Sequence, residues 1–140
     1  ANVYFTTLSG GRYQLSRKRE GASRGYSGLD LEIYDAYSGG GRNVDTLSGG
    51  ELFLASLSLA FGLSDVVQSY SGGVRLESIF IDEGFGTLDE ETLNTAMKAL
   101  FEIQKSGRTV GIISHVAELK SRIPAQIRIL DDHKIKVVLP

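Results

Sequence analysis

The chain has no cysteine and no tryptophan, and only two prolines and one methionine in 140 residues. Without cysteine there is neither a disulfide framework nor a thiolate metal site. No run of about eighteen apolar residues occurs, so no membrane span is expected. No charged and apolar leader precedes the first elements, so no secretion signal is expected. Neither sign of charge predominates, with 15 Lys and Arg against 17 Asp and Glu. The formal net charge of −2 argues against an autonomous nucleic-acid binder, which is usually basic. The run Arg17-Lys18-Arg19 is short enough to read as a solvated face, with a phosphate-contact patch as the alternative. Nowhere is there a G-x-x-x-x-G-K-[ST] loop to cradle phosphates. The chain opens at Ala1, and its one methionine is Met97. It is therefore expected to be a piece of a longer protein.

What remains is an ordinary globular composition, 41% hydrophobic and 23% charged, long enough for one domain with a core. Residues 1–8 are too short to classify but could be the tail of a helix. Tyr13 and Leu15 alternate with polar neighbours and predict a strand over 12–18. Residues 20–28 read as a turn. Leu29, Leu31 and Ile33 alternate with Asp30, Glu32 and Tyr34, predicting a strand with one buried face. Ser38-Gly39-Gly40-Gly41 reads as a loop. Residues 50–70 are apolar almost all round, which predicts a helix buried in a larger body, ended by Ser71-Gly72-Gly73. Ile79-Phe80-Ile81 reads as a central parallel strand covered on both faces. Leu93, Met97, Leu100 and Ile103 predict a helix over 90–105, stopped by Gly107. Thr109–Ile113 reads as a second apolar strand, so strand, helix and strand make a right-handed crossover. A short helix after His115 ends before Pro124. Residues 126–130 and 134–139 predict a hairpin across Asp131-Asp132-His133. The fold class is α/β, a parallel sheet with helices plus antiparallel hairpins.

Three stretches carry chemistry. In Thr46-Leu47-Ser48-Gly49-Gly50-Glu51, Ser48 and Glu51 fit a capping box. Two glycines in a first turn cost about 1 kcal/mol each against alanine, which makes sense if something must approach the backbone. A helix N-terminus with a serine hydroxyl and bare N–H groups suits a phosphate, and cap and anion site are compatible. In Ile79-Phe80-Ile81-Asp82-Glu83, two acids leave an apolar strand at the carboxyl edge, where open α/β sheets bind ligands. They are either two solvated acids or a division of labour. In the second case Asp82 holds Mg²⁺ through water and Glu83 is the general base toward water. His115 ends the neighbouring strand and should share that edge. It is either a capping histidine or a hydrogen-bond donor to phosphate oxygens. His133 reads as surface.

The set resembles the head of ABC-type ATPases. Leu47–Glu51 matches the signature motif and Ile79–Glu83 the Walker B strand. Gly86-Thr87-Leu88-Asp89 matches the D-loop, and Ser114-His115 the switch histidine. The string from Asp82 to Asp89, with Ile112–Val116, is similar to the SbcC family, ATPase subunits of the SbcCD nuclease. Gly10–Leu15 resembles the point where the coiled coil of that family returns to the head.

The resemblance implies a C-terminal lobe of a split head over 1–140. The Walker A lobe, Q-loop, coiled coil and zinc hook lie elsewhere. It implies an ATPase with ATP and Mg²⁺ as cofactors, inactive as this piece alone. Glu83 and His115 are then catalytic, and Asp82 is the metal ligand. Ser48, Gly49, Gly50, Glu51 and Asp89 contact nucleotide. Implied partners are the chain's own N-terminal lobe, a second head joined through ATP, an SbcD-like nuclease and double-stranded DNA. No membrane is implied, and the implied location is cytoplasmic. One rival is an ABC transporter's nucleotide-binding subunit, which usually has polar residues after the signature glycines and a proline after the Walker B acids. Here Leu52-Phe53 and Gly84-Phe85-Gly86 follow instead. The other rival is an SMC-class chromosome-maintenance head. An interaction domain without chemistry does not account for three ordered motifs.

Overall fold

The computed structural model describes residues 1–18, 30–70, 76–130 and 134–140. The turns expected at 20–28, Ser71–Gly73 and Asp131–His133 lie largely or wholly outside the described residues, and so does the side chain of His133.

The first element is a helix, α1 (Asn2–Leu8), followed by β1 (Tyr13–Arg17). β1 pairs antiparallel with β2 (Leu31–Asp35), with Tyr13 opposite Asp35. β2 then pairs with β3 (Gly40–Asn43), with Asp35 opposite Gly40. The expected loop at Ser38–Gly41 is thus corrected in its second half. The turn ends at Gly39, where φ is +69°, and Gly40 and Gly41 already belong to an edge strand. Their missing side chains do not prevent them from taking the ladder that β2 offers. Asn2 closes the outer edge of β1. Its amide donates to the Leu15 carbonyl at 2.9 Å, and its oxygen accepts from the Leu15 N–H at 2.8 Å.

A short 3-10 turn (Val44–Thr46) leads into the long helix α2 (Gly49–Tyr70). By length and composition α2 could cross a bilayer, with a mean hydropathy of 1.5 over its most apolar window. Its packing gives a different reason for that composition. Leu54, Leu57, Ser58 and Phe61 are buried, and Phe61 meets the Tyr4 ring of α1 edge-on at 5.3 Å. The expectation of burial all round holds for that face only. Leu63, Val66 and Tyr70 are exposed.

β4 (Ser78–Asp82) and β5 (Thr109–Ile113) form a parallel pair, Asp82 opposite Ile113, joined by α3 (Glu90–Lys105). α3 has the boundaries that its periodicity predicts. Its Leu93, Ala96, Met97, Leu100 and Ile103 enter the core. β4 departs from the expectation of cover on both faces. Ile81 is buried, but Phe80 is 75% exposed. Among the described residues β4 has one strand partner and no second layer over Phe80. The short helix α4 (Ala117–Arg122) follows, then the hairpin β6 (Gln126–Ile129) and β7 (Ile135–Val138). The hairpin exposes Ile127, Ile129, Ile135 and Val137. A shared core of Phe5, Tyr13, Ile33, Phe61, Phe85 and Met97 joins α1, the antiparallel sheet, α2 and α3.

Candidate active site

The first cluster forms where α2 begins. The Ser48 N–H donates to Glu51 Oε2 at 2.9 Å, and the Glu51 N–H donates to Ser48 Oγ at 3.3 Å. The reciprocal capping box is therefore built, as the spacing predicts. Glu51 does more than cap. It accepts the Tyr13 hydroxyl at 2.5 Å and lies 3.6 Å from Arg12 and 3.7 Å from Arg42. Burial alone would raise its pKa. The Tyr13 hydroxyl, Ser48 and Arg12 outweigh that and hold the carboxyl below its ordinary range. Asp35, only 3% exposed, completes the group. It pairs with Arg12 at 3.2 Å and Arg42 at 3.8 Å, and the Arg12 hydrogen bond depresses its pKa. Tyr13 moves the other way. Burial, reinforced by its bond to Glu51, pushes the phenol up to about 12. Arg12, Tyr13, Asp35 and Arg42 escape a reading of the sequence because nothing local relates them to Ser48.

The signature glycines sit against the loop after β4. A Cβ on Gly49 would lie 3.4 Å from Thr87 Cβ, and one on Gly50 would lie 3.4 Å from a Leu88 methyl. Those are ordinary contact distances. The chain's own packing therefore leaves room for alanine, and does not by itself require glycine at either position.

The second cluster lies at the carboxyl end of β4 and β5. Glu83 extends the ladder by donating its N–H to the Ile113 carbonyl at 2.9 Å. It does so with φ +59°, left-handed, as no other described non-glycine residue is. Such a conformation is unfavourable for a residue with a Cβ and collects at functional sites. Gly84 follows at φ +96°, and a Cβ there would strike the Phe53 ring. Phe53, from the second turn of α2, also packs edge-on against buried Phe85 at 4.9 Å. The loop carrying Glu83 and the helix carrying Ser48 are thus locked through one phenylalanine.

His115 shares the edge, as its place after β5 predicts. Its Nδ1 lies 3.0 Å from Glu83 Oε2 and 3.1 Å from Oε1. A carboxylate only accepts, so Nδ1 carries the proton and donates to Glu83. Asp82 is exposed beside them. Asp89 caps α3, accepting from the Thr92 N–H at 2.7 Å and the Thr92 hydroxyl at 3.0 Å. The Thr92 N–H is the main cause of its lowered pKa.

Residues 22–102 match the family described as SbcC/RAD50-like, Walker B motif. The chain belongs to this family. Two relatives, each named as the C component of the SbcCD nuclease, show how close the similarity is. The one from Staphylococcus haemolyticus is 61% identical over 124 residues, covering 89% of this chain and 12% of the relative. The one from Staphylococcus aureus is 55% identical over 132 residues, covering 94% of this chain and 13% of the relative. The chain thus spans about an eighth of the length of these relatives. Among solved structures, an SMC ATPase studied for ATP-driven dimerization and DNA-stimulated activation has a TM-score of 0.70 at 20% identity. The match covers 98% of this chain and 78% of that one. That likeness establishes the head fold.

The matched span includes β4, the strand that the sequence reads as Walker B. The matched span contains Ser48, Gly49, Gly50, Glu51, Asp82, Glu83 and Asp89, and it ends before His115. His115 therefore enters the site on geometry, through its contact with Glu83.

Proposed function

We propose that residues 1–140 are the C-terminal lobe of a split ATPase head in an SbcC-type protein, which hydrolyses ATP to drive a DNA-processing nuclease. The observation that carries this reading is the Glu83–His115 pair at the carboxyl edge of a Walker B strand, with Glu83 held left-handed. Family membership and the relatives named for the SbcCD nuclease favour it over a transporter component. The SMC likeness lies in the fold, at 20% identity, and does not favour the chromosome-maintenance reading.

In this reading Glu83 accepts a proton from the attacking water. His115 orients the carboxylate through Nδ1, leaving Nε2 toward the γ-phosphate oxygens. Nε2 can donate there only when the ring is an imidazolium, because Nδ1–H is committed to Glu83. The residues fit Mg²⁺ in its usual mode with nucleotide. Among the described residues no cluster of three His, Cys, Asp or Glu side chains could cage a metal. Asp82 is an exposed carboxylate, and Mg²⁺ commonly takes one or two carboxylates, several waters and the phosphates themselves. Asp82 would hold it, and bound Mg²⁺ supplies charge neutralisation on the phosphates. Ser48, Gly49 and Gly50 present a hydroxyl and N–H groups to the γ-phosphate of a second head, so that two ATP molecules join two copies. Glu51 sets that loop from behind, and Asp89 shapes the D-loop beside it. The Walker A lobe, an SbcD-like nuclease, double-stranded DNA and a cytoplasmic location complete the assignment, with no membrane involved.

Calorimetry tests it. Mg-ATP titrated into this chain alone gives no saturable heat, because the loop that makes most β- and γ-phosphate contacts is missing. The same titration into the full-length protein gives saturable binding and turnover. Micromolar binding by the chain alone, or a full-length protein that does not hydrolyse ATP, overturns the assignment.

A further inference from the structure

The cluster behind Glu51 draws one side chain from each strand of the antiparallel sheet: Tyr13 from β1, Asp35 from β2 and Arg42 from β3. Their only link to α2 in this group is Glu51. Tyr13 is central. Its ring, 2% exposed, is approached by two guanidinium groups, with Arg12 4.6 Å and Arg42 5.1 Å from the ring centroid. Its hydroxyl accepts from Arg42 at 2.9 Å and donates to Glu51 at 2.5 Å. Arg42 Nε is buried with no hydrogen-bond partner. The Arg42 nitrogen that donates to Tyr13 also lies 3.8 Å from Asp35 and 3.7 Å from Glu51, so one edge of the guanidinium faces all three groups. Two arginines balance two carboxylates, so the charges close within the group. Glu51 in turn holds the Ser48 N–H at 2.9 Å.

We infer that Tyr13 and Arg42 are positioning residues for the signature loop, fixing the Ser48 hydroxyl and its neighbouring N–H groups through Glu51 so that the loop is preset for the partner head's phosphate. A shift of the antiparallel sheet then reaches the loop through side chains, without passing through the Walker B edge. This rests on the phosphate-binding reading of Ser48 given above. Neither Tyr13 nor Arg42 contacts the nucleotide. Their effect falls on head-to-head association, and ATP binding by each head's own site is left unchanged.

The test uses the full-length protein and reads three quantities: nucleotide affinity under conditions where heads stay monomeric, ATP-dependent dimerisation, and thermal midpoint. Tyr13→Phe keeps the ring and removes the hydroxyl. Arg42→Gln removes the charge, and Arg42→Lys restores it. Ser48→Arg serves as the reference for a blocked loop. Tyr13→Phe and Arg42→Gln are expected to weaken dimerisation about tenfold, the scale of a hydrogen bond to a charged group. They keep wild-type nucleotide affinity, and Arg42→Lys recovers part of the loss. If Tyr13→Phe does not fold, the arginine pair decides alone. Wild-type dimerisation in both Tyr13→Phe and Arg42→Gln, with Ser48→Arg monomeric, overturns this inference and leaves the phosphate reading standing. Equal loss in Arg42→Lys and Arg42→Gln, tracking a lowered midpoint, reduces the cluster to a scaffold and also overturns it. Dimerisation by Ser48→Arg removes the phosphate reading itself, and this inference with it.

Discussion

Glu83 and His115, just past the ends of neighbouring strands, meet at 3.0 Å across the carboxyl edge of the parallel pair. Both side chains are solvent-accessible, His115 at 81% and Glu83 at 47%. A polar pair this exposed contributes little to stability, charged or not, so folding alone does not explain it. The left-handed backbone at Glu83 works against stability as well. Two unfavourable or neutral features coincide at one carboxylate, as expected where geometry serves chemistry.

Replacing Glu83 with glutamine separates the chemical role from the structural one. The amide oxygen still accepts from His115 Nδ1, so the local arrangement persists. It cannot take the proton of water. In the full-length protein turnover is expected to fall by about 100-fold or more, while ATP binding continues and the ATP-bound dimer accumulates. Steady-state phosphate release with size-exclusion analysis checks both halves, and equal turnover in wild type and Glu83→Gln removes the residue from the mechanism.

Gly84→Ala tests the lock between the Walker B loop and α2. Alanine would carry φ +96° and a Cβ that strikes the Phe53 ring. The combined strain and overpacking are expected to destabilise the head by about 1–3 kcal/mol, read from urea unfolding. Adding Phe53→Leu should recover the steric part and leave the backbone part. Full recovery would mean that the left-handed conformation is not required at Gly84.

Ser48→Asp distinguishes a cap from an anion site. Aspartate caps helices about as well as serine, so the stability change is at most about 1 kcal/mol. A carboxylate facing a phosphate is repelled, so ATP-dependent dimerisation in the full-length protein is expected to be lost. Stable heads that still dimerise would leave Ser48 as a cap and nothing more.

The pH dependence follows from two opposite shifts in one cluster. Tyr13 titrates near 10 when unfolded and near 12 when folded, so the folded state favours the neutral phenol. That stability is fully present below about pH 10 and is lost as pH rises toward 12. Asp35 and Glu51 are depressed. Their contribution is present above the ordinary carboxylate range and is lost as pH falls below it. Tyr13→Phe should flatten the alkaline limb of the unfolding midpoint and weaken the acid limb in part, because the Tyr13 hydroxyl also helps to hold the Glu51 carboxyl low. An unchanged alkaline limb would show that the phenol does not carry it.

The bare face of β4 gives a prediction for this chain in isolation. Phe80 is 75% exposed and Ile113 58%, beside a strand with one partner among the described residues. Apolar surface and an open strand edge favour association. The isolated chain is expected to self-associate or to bind an apolar-surface dye, and the signal should fall in Phe80→Lys. A monodisperse monomer without dye binding would argue that the face is satisfied in another way.

Several elements are legible in the sequence because their causes are local. The period of Leu93, Met97, Leu100 and Ile103 specifies α3 whatever lies around it. The Ser48–Glu51 spacing specifies a capping box within a single turn. Asp82, Glu83 and His115 follow apolar runs, and parallel pairing of those runs brings their ends to one edge. Gly40 and Gly41 read as loop because an edge strand needs only a partner's backbone, which no residue type announces. Cover over Phe80 is expected but absent among the described residues, because an apolar run records what a strand can bury, and only tertiary structure records what lies against it.

The sequence by itself determined which groups are present and which short-range geometries they take. The tertiary structure alone decided the contacts that make those groups a site. Tyr13 reaches Glu51 across 38 positions, and Glu83 reaches His115 across 32. The left-handed turn at Glu83 is held where Phe53 closes over Gly84. Those contacts arise from chain closure and shared burial, which depend on how whole elements pack and leave no periodic trace in the residues themselves.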